Sequence, residues 1–468
     1  MVSYQAHNLS KRVRFLSLLM NINVYEISIL LILILLVLDY SNYKSSSLSI
    51  FFIVLLFGFI ITIKEDFWNL PLFDLSSWKI MFLVLILASF FMILQLNENE
   101  NFDTNCLLFL TLLGSIILIL SDNLLILYLG LELQTFSIFI LIAKNRDSIR
   151  SSEAGLKYFM LGAISSGFFL LSFSILFLYG LDLNLKHLLL LKDDYMVYIG
   201  FILITVSLCF KISLFPFHFW IPDIYEGSSW NIVTLVATLP KISMICIIGQ
   251  ILYNSNMVLT FSLLSIAIGT LGALNQTKIK RLLAYSGISH MGFIILGLSL
   301  MSNESFCVST LYLLIYMINM ISLFIIIVSN NYKNEFIIEW SAVKSVNSIL
   351  SITFILIILS VAGIPPLSGF ISKWYLIWII MDSDFILSSF IAIIFSAIGL
   401  GYYLRLVKIT YFQKRSCYFM WENVLRTEKE KNKFSLMMLG FLSFFNIFIL
   451  INFSSLINYL NYALLNLF

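Results

Sequence analysis

The sequence predicts an all-α polytopic membrane protein of about fourteen transmembrane helices, two of them broken. Three observations predict it. Of the 468 residues 60% are hydrophobic and 11% charged, with mean hydropathy +0.99, too apolar for a water-soluble chain of this length. The apolar residues gather in continuous runs of about 18 or more, the length a helix needs to cross a bilayer, whereas a β-barrel would show alternating segments of about ten. Finally, four of the six prolines lie within eight residues of a lysine inside such a run.

In chain order the runs fall at Val24–Tyr40, Ser47–Ile63, Trp78–Leu96, Asn105–Leu120, Asn123–Ala143, Ala154–Gly180, Met196–Glu226, Trp230–Tyr253, Met257–Asn275, Leu283–Met301, Ser305–Ser329, Ile349–Met381, Phe385–Phe412 and Phe434–Leu460. Residues 1–21, with Lys11, Arg12 and Arg14, read as a retained basic extension, since no small-residue cleavage site follows the first run. Segments four and five are parted only by Ser121 and Asp122. The seventh and twelfth are too long for one straight crossing, and both contain prolines.

Of the 28 Lys and Arg, seventeen fall on loops after odd-numbered segments, seven on the opposite face, and four, Lys211, Lys241, Lys373 and Arg405, within the membrane. The positive-inside rule then places the Lys144–Lys157 loop on the matrix or cytoplasmic side and both termini outside.

The two long segments stand five apart in helix order. That spacing suggests two five-helix units, and an odd number of helices per unit forces the second to be inverted relative to the first. Inverted repeats with a broken helix at matching places mark transport proteins, with the ion path near the midplane. The expected divisions are residues 1–103 (extension and three helices), 104–253 (first repeat), 254–412 (second, inverted repeat) and 413–468 (basic loop and C-terminal helix).

In the seventh segment Pro216 has no N–H for the carbonyl of Ile212, and Pro222 none for that of His218, so the helix should open at two consecutive turns. Pro365 and Pro366 should open the twelfth. Lys211 and Lys373 flank these breaks, Lys241 follows Pro240, and an intramembrane lysine is by default a functional hypothesis with a partner to be found. Glu132, in the middle of the fifth segment, is the obvious counter-charge, and a Glu132–Lys211 ion pair is the economical arrangement. Burial disfavours the charged form of either group and pairing favours it, so a pair that is made and broken can load or release a proton. His218 and His290 are possible further relay groups. Lys157 and Arg405 lie nearer the basic side, where snorkelling or local ion pairs are expected, although Lys157 also remains a possible relay.

Five cysteines are scattered with no Cys-x-x-Cys pair, four of them in apolar runs, and two isolated histidines make a poor metal site. No haem, iron–sulfur or zinc site is expected. A net charge of +3 without a basic block interleaved with aromatics gives no pointer to nucleic acid. Abundant Phe, Ile, Leu, Asn and Tyr beside few Gly, Pro and Ala suggest AT-rich coding, hence an organelle.

The runs Leu131-Glu132-Leu133-Gln134, Glu153 to Ala163, Phe217 to Gly227, Leu239-Pro240-Lys241-Ile242-Ser243, and Ala362-Gly363-Ile364-Pro365-Pro366 to Lys373 resemble the subunit 2 family of respiratory complex I, the proton-pumping NADH:ubiquinone oxidoreductase. The resemblance covers about Asn105 to Phe412. It implies that Glu132 and Lys211 form the first pair of a half-channel, that Lys241 is the central relay, and that Lys373 is the terminal protonatable group of the second half. A lysine at 373 is more like subunit 2 than subunit 4, and the long lateral helix expected of subunit 5 is not found.

The resemblance further implies no cofactor in this chain, with the NADH, FMN, iron–sulfur and ubiquinone sites in other subunits. Implied partners are neighbouring antiporter-like subunits of the membrane arm, the lateral helix of subunit 5, and membrane lipids. The implied location is the mitochondrial inner membrane, or the plasma membrane of a bacterium. A Na+/H+ antiporter subunit is the competing reading, and a structural spacer with vestigial charges a third. The run Glu153 to Ala163, more like subunit 2 than the antiporters, ranks the first reading ahead.

Overall fold

The structure, a computed structural model, describes residues 76–96, 102–145, 147–180, 184–185, 195–251, 255–329, 335–342, 348–413 and 433–464. The first two expected segments, Val24–Tyr40 and Ser47–Ile63, and the basic N-terminal extension lie outside these residues.

The described chain is almost wholly helical. In order the helices are α1 (Ser77–Leu96), α2 (Phe102–Leu120), α3 (Leu124–Ile142), α4 (Ile149–Gly180), α5 (Tyr195–Ile212), α6 (Trp220–Gly227), α7 (Trp230–Ile251), α8 (Ser255–Leu274), α9 (Ile279–Leu298), α10 (Asn303–Ser329), α11 (Ser348–Ala362), α12 (Ser368–Asp382), α13 (Ile386–Val407), α14 (Lys433–Ile451) and α15 (Phe453–Leu464). Among the described residues ten helices are long and apolar enough to cross a membrane.

Apolar runs found the described spans and missed some of their ends, because hydropathy stops at the bilayer edge while backbone hydrogen bonding does not. Helix α4 starts five residues before the apolar run, at Ile149, with Arg150, Glu153 and Lys157 in the added or first turns. Helix α9 starts four residues early, at Ile279, where its first N–H donates to the carbonyl of Glu335 at 3.1 Å.

Burial sorts the helices into a centre and a rim. Helix α7 is enclosed along its whole length, and α9 and α10 nearly so. Helices α4 and α13 expose long apolar stripes, including Leu156, Met160, Leu171 and Leu178 on one and Leu387, Phe390 and Ile394 on the other. With no hydrophobic drive between helices inside a bilayer, close packing and polar links must hold the centre. Ser360 donates to Asn319 at 2.6 Å and Ser368 to Asn446 at 2.9 Å, each tying a half-helix to a neighbour.

Both expected breaks occur, but the first is one opening and not two. Helix α5 ends at Ile212, Ser213 takes φ 68°, and the chain re-enters a helix at Trp220. Trp220 Nε1 donates to the carbonyl of Phe210 at 3.1 Å, satisfying one of the freed acceptors. Pro222 is the third residue of α6. In a first turn the missing N–H has no carbonyl to lose, so this proline begins a helix and does not break one. Pro365 and Pro366 lie in the second break, 363–367, entered through Gly363 at φ 83°.

The C-terminal segment also departs from expectation. In place of one helix over Phe434–Leu460 there are two, α14 and α15, bent at 93°. Asn452, Ser454, Ser455, Asn458 and Asn461 are exposed and give the second stretch a polar face. Its buried residues, Leu460 and Leu464, are spaced i, i+4 on one face. That face packs on α10 and α1, and Ser77 Oγ on α1 donates to the carbonyl of Ala463 at 2.7 Å.

Candidate functional site

Glu132 in α3 and Lys211 in the last turn of α5 line one small cavity together with Tyr128, Leu131, Ser165, Ser166, Phe169 and Ser207. They do not form the direct ion pair expected from the sequence. Within its own helix, Thr135 Oγ1 donates to the Glu132 backbone carbonyl at 3.1 Å and lies 3.4 Å from the carboxylate. The cavity has room for roughly one water, and Glu132, Lys211 and the serines among its lining residues are the groups such a water could bridge.

A second cavity continues from Lys211 towards Lys241, lined also by Gln134, Thr135, Tyr158 and Pro240. Lys241 is in the enclosed helix α7 and is 3% exposed. Its Nζ donates to Tyr316 Oη on α10 at 2.9 Å and lies 5.2 Å from that ring's centroid. Gly287 on α9 leaves the space for this ammonium, since a Cβ there would stand 3.2 Å from Nζ.

The His290 ring lies 5.3 Å, centroid to centroid, from that of Tyr316. Its Nδ1 is 2.8 Å from Tyr312 Oη and its Nε2 3.0 Å from Tyr403 Oη. A neutral imidazole offers one N–H and one lone pair, so one hydroxyl must donate while the other accepts. Protonation would make both ring nitrogens donors. The arrangement can accept a proton at one nitrogen and give one up at the other.

Lys373 on α12 reaches back across the second break, its Nζ donating to the carbonyls of Ala362 at 2.8 Å and Val361 at 3.3 Å. The same ammonium lies 5.9 Å from the centroid of Phe293, one helical turn beyond His290. This resolves an asymmetry in the sequence, where Lys211 precedes its break and Lys373 follows. Both ammonium groups belong to the C-terminal end of the first half-helix, one from within its last turn and one from across the gap. There the carbonyl ends and the helix dipole favour a cation.

His218 is buried within the first break, its ring centroid 4.3 Å from that of Phe219 and 5.9 Å from that of Phe215. No hydrogen bond connects it to Lys211 or Lys241 among the described residues. Lys157 lies on the basic face, paired with Glu153 at 2.7 Å and with Asp223 at 2.8 Å. Arg405 donates to the carbonyl of Leu274 at 3.2 Å, closing the end of α8.

Sequence reasoning missed three tyrosines and a set of ion pairs on the basic face. Tyr312 and Tyr316, spaced i, i+4, put two hydroxyls on one face of α10, a signal that was available. Tyr403 carried no such signal. On the basic face Arg281 pairs with Asp223 at 3.1 Å and with Glu226, while Lys278 pairs with Glu226 and stands 3.9 Å from Glu335. The Lys280 Nζ donates to the carbonyl of Ser228 at 2.6 Å. This lattice fastens the short helix α6 to the start of α9.

A family model described as NADH:quinone oxidoreductase/Mrp antiporter, TM, matches residues 121–399. The NADH-ubiquinone oxidoreductase chain 2 of Metridium senile is 38% identical over 375 residues, covering 78% of this chain and 97% of that one. A chain of respiratory complex I from Thermus thermophilus superposes with TM-score 0.78 at 22% identity, over 92% of this chain and 98% of that one. A chain of the Mrp complex from Dietzia superposes with TM-score 0.76 at 18% identity, over 84% of each. These two likenesses show a shared fold and do not choose between the complexes.

Proposed function

Because the chain belongs to the NADH:quinone oxidoreductase/Mrp antiporter transmembrane family, we propose that it is a proton-translocating membrane-arm subunit of a complex I-type NADH:quinone oxidoreductase. The observation that carries this reading is the polar line through an apolar interior: Glu132 and Lys211 on one cavity, Lys211 and Lys241 on the next, then Tyr316, His290 with its two tyrosines, and Lys373.

Charges arranged this way interact strongly. At an effective dielectric constant of about 20, two unit charges roughly 8 Å apart still interact by about 2 kcal/mol, enough to change a neighbour's proton affinity some thirtyfold. A proton arriving at one lysine therefore biases the next to lose its own. Glu132 and Lys211 would load the first half from the basic face, Lys241 would pass charge through the tyrosines and His290, and Lys373 would hold the terminal proton. Helices 104–253 and 254–412 would act as two inverted units, each with its ammonium at a broken helix.

In this reading the chain carries no redox chemistry. NADH oxidation and quinone reduction, with the FMN and iron–sulfur groups they use, belong to other subunits of the complex. Neighbouring antiporter-like subunits, a lateral helix and lipids would cover the apolar rim, and the membrane would be the mitochondrial inner membrane. The family description names the Mrp antiporter as well; the complex I-type reading is favoured by a relative 38% identical over most of both chains, whereas the Mrp chain is similar in fold at 18% identity.

A native gel of detergent-solubilised membranes with NADH dehydrogenase staining tests the assignment, with the chain identified by mass spectrometry. The reading expects it in a roughly megadalton band that reduces dye with NADH. Migration alone, or with antiporter chains and no NADH activity, would move the assignment to the antiporter.

A further inference from the structure

The relay leaves one buried charge pair unused. Lys79, the third residue of α1, has a side chain 0% exposed, and its Nζ lies 2.6 Å from Oδ1 of Asp122, whose side chain is 15% exposed. The same Nζ is 3.5 Å from the carbonyl of Ser121, at the end of α2, and 5.7 Å from the centroid of Trp78. The ammonium is inside, and the carboxylate reaches the edge.

The position of the pair is fixed by the helices that carry it. Asp122 precedes α3, whose 19 residues span about 28 Å before the basic loop at Lys144. The pair therefore sits at the opposite face from that loop. Glu132 is ten residues along the same helix, about 15 Å away along its axis. Helix α1 packs on α7, which starts at Trp230 beside the basic face and runs through Lys241 towards the opposite one. The pair stands between the relay and the face away from the basic loops.

Burying an ion pair is weak as a source of stability, because desolvating both charges offsets most of their attraction. We propose that Lys79 and Asp122 form a proton-release station on the face opposite the basic loops, an inference that rests on the proton-translocating reading above. When the relay drives positive charge towards this face, an Nζ–H bond of Lys79 breaks and an Oδ–H bond of Asp122 forms, leaving a neutral amine beside a neutral acid. The exposed edge of Asp122 then gives its proton to water. Lys79 takes a new proton from the relay side, which restores the ion pair.

The test is Asp122→Asn in the assembled complex, an isosteric change that keeps an oxygen facing Lys79 but cannot take up a proton. Proton release per electron and quinone-linked NADH oxidation are measured alongside Lys241→Met. The station expects normal assembly on a native gel with both quantities lowered at least threefold. Native pumping and turnover in Asp122→Asn would overturn it. If that variant assembles poorly, the apolar pair Lys79→Met/Asp122→Leu decides: native pumping there makes the pair a structural lock and overturns the station, and lowered pumping in assembled complex upholds it. Unchanged pumping in Lys241→Met would instead sink the parent reading.

Discussion

The ammonium of Lys241 and the hydroxyl of Tyr316 lie 2.9 Å apart in the most enclosed part of the chain. A hydrogen bond to a charged group is worth about 1.5–3 kcal/mol, and losing it leaves the ammonium without that acceptor in an apolar site. Tyr316→Phe should therefore assemble normally and slow quinone-linked proton pumping by about tenfold. Pumping assays on membrane vesicles with matched complex content check this, and a native rate would remove Tyr316 from the path.

Lys373 holds the broken end of α11 as well as a charge. Lys373→Met should lower pumping and also destabilise the complex by about 1–3 kcal/mol, because the Val361 and Ala362 carbonyls lose their donor. Lys373→Arg should recover the stability and less of the pumping, since the planar guanidinium is not a compact ammonium. Thermal unfolding of the purified complex separates the two effects.

The two half-helices of the second break meet at Gly369, where a Cβ would stand 1.7 Å from the carbonyl oxygen of Ser360. Gly369→Ala must push α12 off α11 and should abolish assembly. Among the described residues nothing lies within 4 Å of the corresponding position at Gly167, so Gly167→Ala should leave the packing of this chain intact and its assembly far less affected. Native-gel band intensity reports both.

The basic-face ion pairs should differ in worth. Arg150 and Glu335, 2.9 Å apart with side chains 59% and 45% exposed, should contribute about 0–1 kcal/mol. Glu226, whose side chain is 14% exposed, holds both Lys278 and Arg281. Arg150→Ala should therefore be nearly silent in thermal unfolding, while Glu226→Gln lowers the unfolding temperature measurably. Equal effects would contradict this ranking.

The parts legible in the sequence were those set by hydropathy and backbone chemistry. Apolar runs located every described span, and Pro216, Pro365 and Pro366 marked both breaks, because a missing N–H acts locally. Pro222 misled for the same reason in reverse: whether a proline breaks or begins a helix depends on where the preceding turn ends. Lys211, Lys241, Lys373 and Glu132 stood out as charges in apolar surroundings. Their tyrosine partners did not, since a tyrosine in a membrane helix is ordinary until the fold brings its hydroxyl to a lysine or histidine. Lys79, one of the seven basic residues assigned to the face opposite the Lys144–Lys157 loop, lies at the N-terminal end of the run Trp78–Leu96, and only tertiary packing buries it.

The most direct test of a lysine-centred relay is the proton-to-electron ratio of fully assembled complex carrying Lys241→Ala. The account predicts a lowered ratio together with slowed quinone-linked NADH oxidation, because pumping and electron flow are coupled through this site. An unchanged ratio and rate in the assembled variant would contradict it.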